Sequence, residues 1–164
     1  MSTKRLLFIQ DDPLLGSIYR DSLETAGFAV ETATDADSGI KLMQEMRPDA
    51  VVLDPVLRSG DVERSIQHIR AIGNGRAMPI MVLPTPHPPL ATLAERAGAT
   101  HLLPQSGNPL GTLLDELSKA LGVSAESTPI LAKGRLDSHW QEATLTAAPG
   151  SLTALRHALH EVVK

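Results

Sequence analysis

Short apolar runs that alternate with longer helical patterns restrict the fold of this chain more than any other feature. The clearest run covers residues 50–53, reads Ala-Val-Val-Leu, and lies between Pro48-Asp49 and Asp54-Pro55. An apolar run of this length, entered and left at prolines, predicts a short strand that is buried on both faces. Asp54 then lies at the carboxyl end of the strand, which is the end where open parallel sheets bind their ligands.

Similar patterns recur along the first three quarters of the chain. Apolar runs predict strands at residues 6–9, 28–32, 50–53, 79–83 and 101–103, and apolar residues at helical spacing predict helices at residues 13–26, 35–46, 62–72, 90–97 and 109–121. Strands that alternate with helices form a parallel sheet covered on both faces, with right-handed crossovers. We therefore predict an α/β fold, a flavodoxin-like (βα)5 doubly wound parallel sheet of strand order 2-1-3-4-5.

The pattern stops after Leu121-Gly122, which divides the chain into three predicted parts. Residues 1–122 are predicted to form the domain, residues 123–150 a linker, and residues 151–164 an amphipathic C-terminal helix with leucines at heptad-like spacing. This helix must bury its apolar stripe by docking on its own domain, by pairing with a second copy, or by leading into a further domain. All three alternatives stay open.

Composition excludes several classes of function. A formal net charge of −4 and a pI near 5.8 give no basic surface for nucleic acid, so we expect no direct DNA or RNA binding. The chain has no cysteine, which excludes disulfides and zinc-thiolate sites. The apolar run near the N-terminus is too short for a signal peptide or a membrane span, so we expect a cytoplasmic protein without membrane contact.

The predicted strand order brings acidic residues together. Strand 1 is followed by Gln10-Asp11-Asp12 and strand 3 by Asp54, and these two strands are neighbours in the predicted sheet. Carboxylates that converge on one edge repel each other unless a cation or a proton donor compensates. Mg²⁺ accepts one or two carboxylates together with carbonyl and water ligands, and an aspartate placed there can also take a phosphoryl group as a nucleophile.

At these residues the chain resembles the receiver domain of bacterial two-component response regulators. The resemblance covers residues 4–121 and rests on the element order and on the motifs Gln10-Asp11-Asp12-Pro13, Ala26-Gly27-Phe28, residues 48–54, residues 79–83 and Gly98-Ala99. It implies that Asp54 is the residue phosphorylated by a histidine kinase. It also implies that Asp11, Asp54 and the backbone carbonyl of Val56 bind Mg²⁺, with Asp12 as a further candidate ligand.

Several positions depart from the pattern of that family. Where the family has a first carboxylate, a Ser or Thr, an aromatic residue and a Lys, this chain has Gln10, Pro84 followed by Thr85, Leu102 and Gln105. Pro55 also lacks the backbone N–H that the family directs at phosphoryl oxygens. Loss of one donor to developing charge costs about 10² to 10³ in rate, so the combined losses predict phosphorylation slowed by roughly 10⁴ or more.

The sequence therefore predicts a receiver-like signalling protein of a phosphorelay, not an enzyme, that works as a protein-interaction module with impaired or absent phosphorylation. Its expected partners are a histidine kinase or another signalling protein, or a second copy bound through the C-terminal helix or the domain surface. The first alternative is a working phosphoacceptor that uses Mg²⁺, in which Gln105 and Thr85 replace the Lys and Thr. A flavodoxin-like domain for another small molecule is less favoured, because no Gly-x-Gly-x-x-Gly follows the first strand.

Overall fold

The computed structural model of the chain describes residues 2–58, 60–73, 75–105 and 107–123. In chain order these residues form β1 (Arg5–Ile9), α1 (Pro13–Thr25), β2 (Ala29–Ala33), α2 (Ala36–Met46), β3 (Ala50–Leu53), α3 (Val62–Ala71), β4 (Ile80–Val82), α4 (Pro88–Ala97), β5 (His101–Leu102) and α5 (Pro109–Leu121). The predicted C-terminal helix and all of the predicted linker except Val123 lie outside the described residues.

The five strands are parallel and form one sheet of order β2-β1-β3-β4-β5. The predicted flavodoxin-like topology is therefore confirmed. β1 and β3 are neighbours in register, with Ile9 opposite Leu53, and the backbone N–H of Asp54 donates to the carbonyl oxygen of Ile9 over 3.0 Å. The carboxyl ends of these two strands consequently lie side by side.

Each face of the sheet has its own apolar core, because side chains alternate between the two faces along a strand. Phe8 and Val52 belong to the core beneath α1 and α5, whereas Ile9 belongs to the core beneath α2, α3 and α4. Gln10 and Asp54 continue the first alternation beyond the strand ends. Their side chains therefore emerge on the same face of the sheet, next to the start of α1.

The helix beside this edge begins at a capped residue. Asp12 is the N-cap of α1, and its Oδ1 accepts hydrogen bonds from the backbone N–H groups of Leu14 and Leu15 over 3.0 and 3.2 Å. Pro13 occupies the first helical position, where a missing N–H costs nothing. The predicted start of α1 is confirmed.

α4 begins two residues earlier than predicted. Pro88 and Pro89 occupy its first two positions, and His87 is its N-cap. The predicted start at residue 90 is therefore wrong by two residues, because proline fits the first turn of a helix, where backbone N–H groups have no partner within the helix. In the described part of the chain, no helix combines the length and the apolar character that crossing a membrane requires.

Arg70 near the end of α3 connects the loop before β4 to the loop before β5. Its Nη1 donates to the carbonyl oxygens of Gly75 and Met78 over 2.5 and 2.6 Å. Its Nε and Nη2 donate to the carbonyl oxygen of Gly98 over 3.0 and 2.5 Å. Burial lowers the pKa of Arg70 from its ordinary value, but a guanidinium stays protonated in a protein. One charged group thus fixes two loops at the amino ends of the strands, whereas Asp54 lies at the carboxyl ends.

Candidate functional site

Asp54 follows β3 directly, and its side chain is partly buried. Both carboxylate oxygens accept hydrogen bonds from the protein: Oδ2 from Gln10 Nε2 over 2.5 Å, and Oδ1 from the backbone N–H of Val56 over 2.7 Å. Burial raises the pKa of Asp54 and the negative charge of Asp11 raises it further, whereas the two hydrogen bonds act in the opposite direction. The carboxylate is therefore held in a fixed orientation by protein donors.

Gln10 stands where the resemblance to the receiver family implies a carboxylate. Its side chain is only 3% exposed. Its Nε2 donates to Asp54, and its Oε1 accepts from the backbone N–H of Asp12 over 3.1 Å. Since one end of the amide must donate and the other must accept, these two contacts fix its orientation. Gln10 thus connects the carboxyl end of β3 to the first turn of α1.

Asp11 lies at the same edge, but its contacts are with Arg58 in the loop after β3. The Oδ2 atom of Asp11 accepts from the backbone N–H of Arg58 over 2.9 Å, and Arg58 Nε lies 3.5 Å from the same oxygen. The Asp11 side chain is 18% exposed and that of Arg58 is 90% exposed. The negative charge of Asp11 therefore has a cationic neighbour supplied by the chain itself.

The two further candidate ligands have structural contacts. Asp12 caps α1, and Val56 directs its backbone N–H at Asp54. The Val56 side chain is exposed beside the carboxylate. The Val56 carbonyl oxygen, which is the group predicted to bind Mg²⁺, takes no part in these contacts.

Tyr19 is a residue of this region that the sequence analysis did not single out. It lies one turn below Gly16 on α1, is almost fully buried, and stacks on Phe8 with ring centroids 5.2 Å apart. Burial raises the pKa of Tyr19 above its ordinary value, and the charge of Asp54 raises it further. The phenol ring is therefore electrostatically coupled to the candidate phosphoacceptor from inside the core.

Apart from Gln10, the positions that depart from the receiver pattern supply no donor to Asp54 among the hydrogen bonds of the described residues. The Thr85 hydroxyl accepts a hydrogen bond from the backbone N–H of His87 over 3.1 Å. Gln105 is exposed, Pro84 is half-buried, and Leu102 is 38% exposed on the surface of β5. The contacts of Asp54 come instead from Gln10 and Val56.

The donor set fits a divalent cation poorly. The described residues include no group of three or more His, Cys, Asp or Glu side chains that could hold a metal ion. Asp54 already accepts two hydrogen bonds from the protein, and Asp11 already lies against Arg58. Mg²⁺ would need oxygen ligands at about 2.0–2.1 Å, and protein N–H groups face both carboxylate oxygens of Asp54 and one of Asp11.

The sequence did not identify Arg58 or Tyr19 as part of the site, for different reasons. Arg58 is 47 residues from Asp11 in sequence, and an arginine in a polar loop gives no signal of its own. Tyr19 occupies an apolar position of a helical pattern, where an aromatic residue reads as core. Its stacking on Phe8 arises only when α1 packs against the sheet, so no local sequence pattern could reveal it.

Comparison with known proteins identifies the family to which these features belong. The model of the family described as "Response regulator receiver domain" matches residues 6–108. The DNA-binding dual master transcriptional regulator RpaA of Synechocystis sp. is 32% identical over 79 residues, which cover 48% of this chain and 33% of that protein. The matched part of the chain thus spans about a third of the length of the curated relatives it matches.

Solved structures agree with the fold. The chemotaxis response regulator CheY4 of Vibrio cholerae has 25% sequence identity and a TM-score of 0.65, with 73% of this chain and 99% of that chain covered. The receiver domain of the sensor histidine kinase PA1611 from Pseudomonas aeruginosa, whose structure has a magnesium ion coordinated in its active site cleft, has 23% identity and a TM-score of 0.67, with 74% and 99% covered.

One expectation from the sequence is wrong. The prediction excluded nucleic acid as a partner, whereas the relatives include RpaA, which is named as a DNA-binding regulator. The match covers only the receiver part of that protein. The acidic charge that supported the exclusion is a property of the receiver part and does not decide what the proteins of this family bind.

Proposed function

Because the chain belongs to the response regulator receiver family, we propose that it is a signalling module of a two-component pathway that acts through protein interaction, with phosphorylation of Asp54 impaired or absent. Receiver domains of this family are signalling modules. The observation that carries the proposal is the bonding of Asp54, whose two oxygens both accept hydrogen bonds from the protein.

The chemistry of phosphoryl transfer explains why this bonding matters. One Asp54 oxygen must form a bond to the phosphorus of the donor while the bond from phosphorus to the leaving oxygen breaks. Gln10 donates to Oδ2 and Val56 to Oδ1, and each hydrogen bond withdraws electron density from the oxygen that accepts it, which makes that oxygen a weaker nucleophile. This arrangement supports slow phosphorylation.

The surroundings of Asp54 also support slow phosphorylation, because charge that develops on the phosphoryl oxygens needs donors. Pro55 has no N–H, the Thr85 hydroxyl is uncharged and accepts a hydrogen bond from the backbone N–H of His87, and Gln105 is exposed and uncharged. These three positions together supply no positive charge. We expect the rate to fall by roughly 10⁴ relative to a receiver that has a lysine and a hydroxyl there.

Incubation with acetyl phosphate and MgCl₂, followed by intact-protein mass spectrometry, tests the proposal. Phosphorylation transfers the phosphoryl group to an Asp54 oxygen and releases acetate. We expect no adduct on the time scale in which a phosphorylatable receiver, assayed in parallel, is fully modified. The Asp54→Asn variant is the control for modification elsewhere. An adduct that forms at an ordinary receiver rate and disappears in Asp54→Asn overturns the proposal.

A working phosphoacceptor is the second candidate, and one observation favours it. Arg58 brings a positive charge within 3.5 Å of Asp11, at the edge that Asp54 shares. In this candidate Asp11, Asp54 and the Val56 carbonyl would hold Mg²⁺, with Asp12 as a further candidate ligand. In this candidate Arg58 stabilises the phosphoryl group, so Arg58→Ala should slow the phosphorylation of Asp54. The matched control is Arg64→Ala, which removes an exposed arginine of α3.

A further inference from the structure

We propose that Gln10 and Arg58 together take the place of a divalent cation at the acidic edge, so that Mg²⁺ adds no stability to the folded domain. The inference deepens the proposed function, since it concerns the same site and rests on it. It arises from the disagreement between the donor set and a metal: each of the two carboxylates faces a protein group where a cation would otherwise be required.

Gln10 removes the repulsion that a carboxylate at its position would cause. A carboxylate oxygen in place of Nε2 would face Asp54 Oδ2 at 2.5 Å, a separation that two anions keep only with a proton or a cation between them. The amide replaces that repulsion with a hydrogen bond. Its other end accepts from the backbone N–H of Asp12, so the amide cannot turn away without breaking a second hydrogen bond in a partly buried place.

Arg58 supplies the positive charge. Its backbone N–H and its Nε both approach the same oxygen of Asp11, at 2.9 and 3.5 Å. An ion pair this exposed contributes little to stability. Its consequence is electrostatic, because a cation already lies beside Asp11 and opposes the entry of a second one. Mg²⁺ would have to displace the guanidinium from Asp11 and turn the amide of Gln10 away from Asp54.

Thermal unfolding measured by circular dichroism, with MgCl₂ against NaCl of equal ionic strength, tests the inference. A ligand that binds only the folded state raises the midpoint as its concentration exceeds its dissociation constant. We expect the wild-type midpoint to be the same in both salts up to millimolar MgCl₂. A rise of about 2 °C or more that is specific to MgCl₂ in the wild type overturns the inference.

Two substitutions of Gln10 make the test sharper. Gln10→Glu keeps the shape of the side chain and places an anion against Asp54, so its midpoint should fall by about 5 °C or more in NaCl and recover in MgCl₂. Gln10→Met keeps the approximate size, removes the donor and adds no charge, so its midpoint should fall without recovery in MgCl₂. Equal recovery of both variants, or of neither, contradicts the assigned role of the Gln10 amide.

Arg58 is tested separately, because its exposed side chain can be removed without loss of the fold. Arg58→Ala should acquire a midpoint rise in MgCl₂ that neither the wild type nor the Arg64→Ala control shows. An Arg58→Ala variant that stays insensitive to MgCl₂ overturns the role of the guanidinium. These outcomes are independent of the acetyl phosphate test: a wild type stabilised by MgCl₂ but not phosphorylated refutes only this inference, and a phosphorylated wild type insensitive to MgCl₂ refutes only the proposed function.

Discussion

Replacing Arg70 with alanine should destabilise the domain strongly, although Arg70 is far from the candidate site. The guanidinium makes four hydrogen bonds of 3.0 Å or less to the carbonyl oxygens of Gly75, Met78 and Gly98. Gly75 and Met78 are buried and Gly98 is partly buried, so water does not have free access to these carbonyl oxygens after the side chain is removed. The two loops before β4 and β5 would then lose their common anchor.

The magnitude follows from the bonds that are lost. A hydrogen bond to a charged group contributes about 1.5–3 kcal/mol, and four such bonds in one side chain are not additive. Burial also costs the guanidinium part of its solvation, as its lowered pKa indicates. We expect Arg70→Ala to reduce the free energy of unfolding by about 3 kcal/mol, which is a large share of the 5–15 kcal/mol typical of a domain.

Urea denaturation followed by circular dichroism measures this loss as a lower transition midpoint at an unchanged slope. Arg64→Ala on the exposed side of the same helix is the matched control and should change the free energy of unfolding by less than about 0.5 kcal/mol. Arg70→Lys should recover only a minor part, because one ammonium group cannot reach both loops. A loss below about 1 kcal/mol for Arg70→Ala would refute the reasoning, since solvent would then satisfy the carbonyl oxygens equally well.

Three further predictions concern single side chains. Tyr19 is the one tyrosine of the chain, and burial and the charge of Asp54 raise its pKa, so its tyrosinate absorbance should appear only at a pH well above the ordinary pKa of about 10. The unfolded chain loses this proton first, so the free energy of unfolding should fall as pH rises above about 10. Asp54→Asn should shift the absorbance midpoint to lower pH. Gly98→Ala should reduce stability by about 1–3 kcal/mol in urea denaturation, because Gly98 has φ +118° and a Cβ there would lie 3.2 Å from the Arg70 Nε atom. Asp35→Ala removes the N-cap of α2 and should cost about 1 kcal/mol at neutral pH. The pKa of Asp35 is lowered by its hydrogen bond to the first-turn backbone N–H, so this contribution should disappear, and the two proteins converge in stability, as pH falls below the folded-state pKa.

The fold and the position of the candidate phosphoacceptor follow from local sequence patterns. Apolar runs and helical spacing are local properties, so five strands, five helices and right-handed crossover connections between the strands could be inferred without coordinates. Strand order then placed Gln10, Asp11 and Asp54 at one edge, as the pairing of Ile9 with Leu53 confirms. The missing carboxylate at Gln10 could also be seen in the sequence, because the resemblance to the receiver family implies an acidic residue at that position.

The contacts of these side chains could be found only in the folded structure. That Gln10 bonds both Asp54 and the backbone of Asp12, and that Arg58 reaches Asp11 across 47 residues of sequence, depends on rotamers and on the path of the loop after β3. The coupling of Tyr19 to Asp54 likewise depends on the depth at which α1 packs against the sheet. Apolar periodicity specifies which face of an element is buried, but hydrogen bonds and ion pairs need atoms within about 3 Å, and that precision arises only when the elements pack.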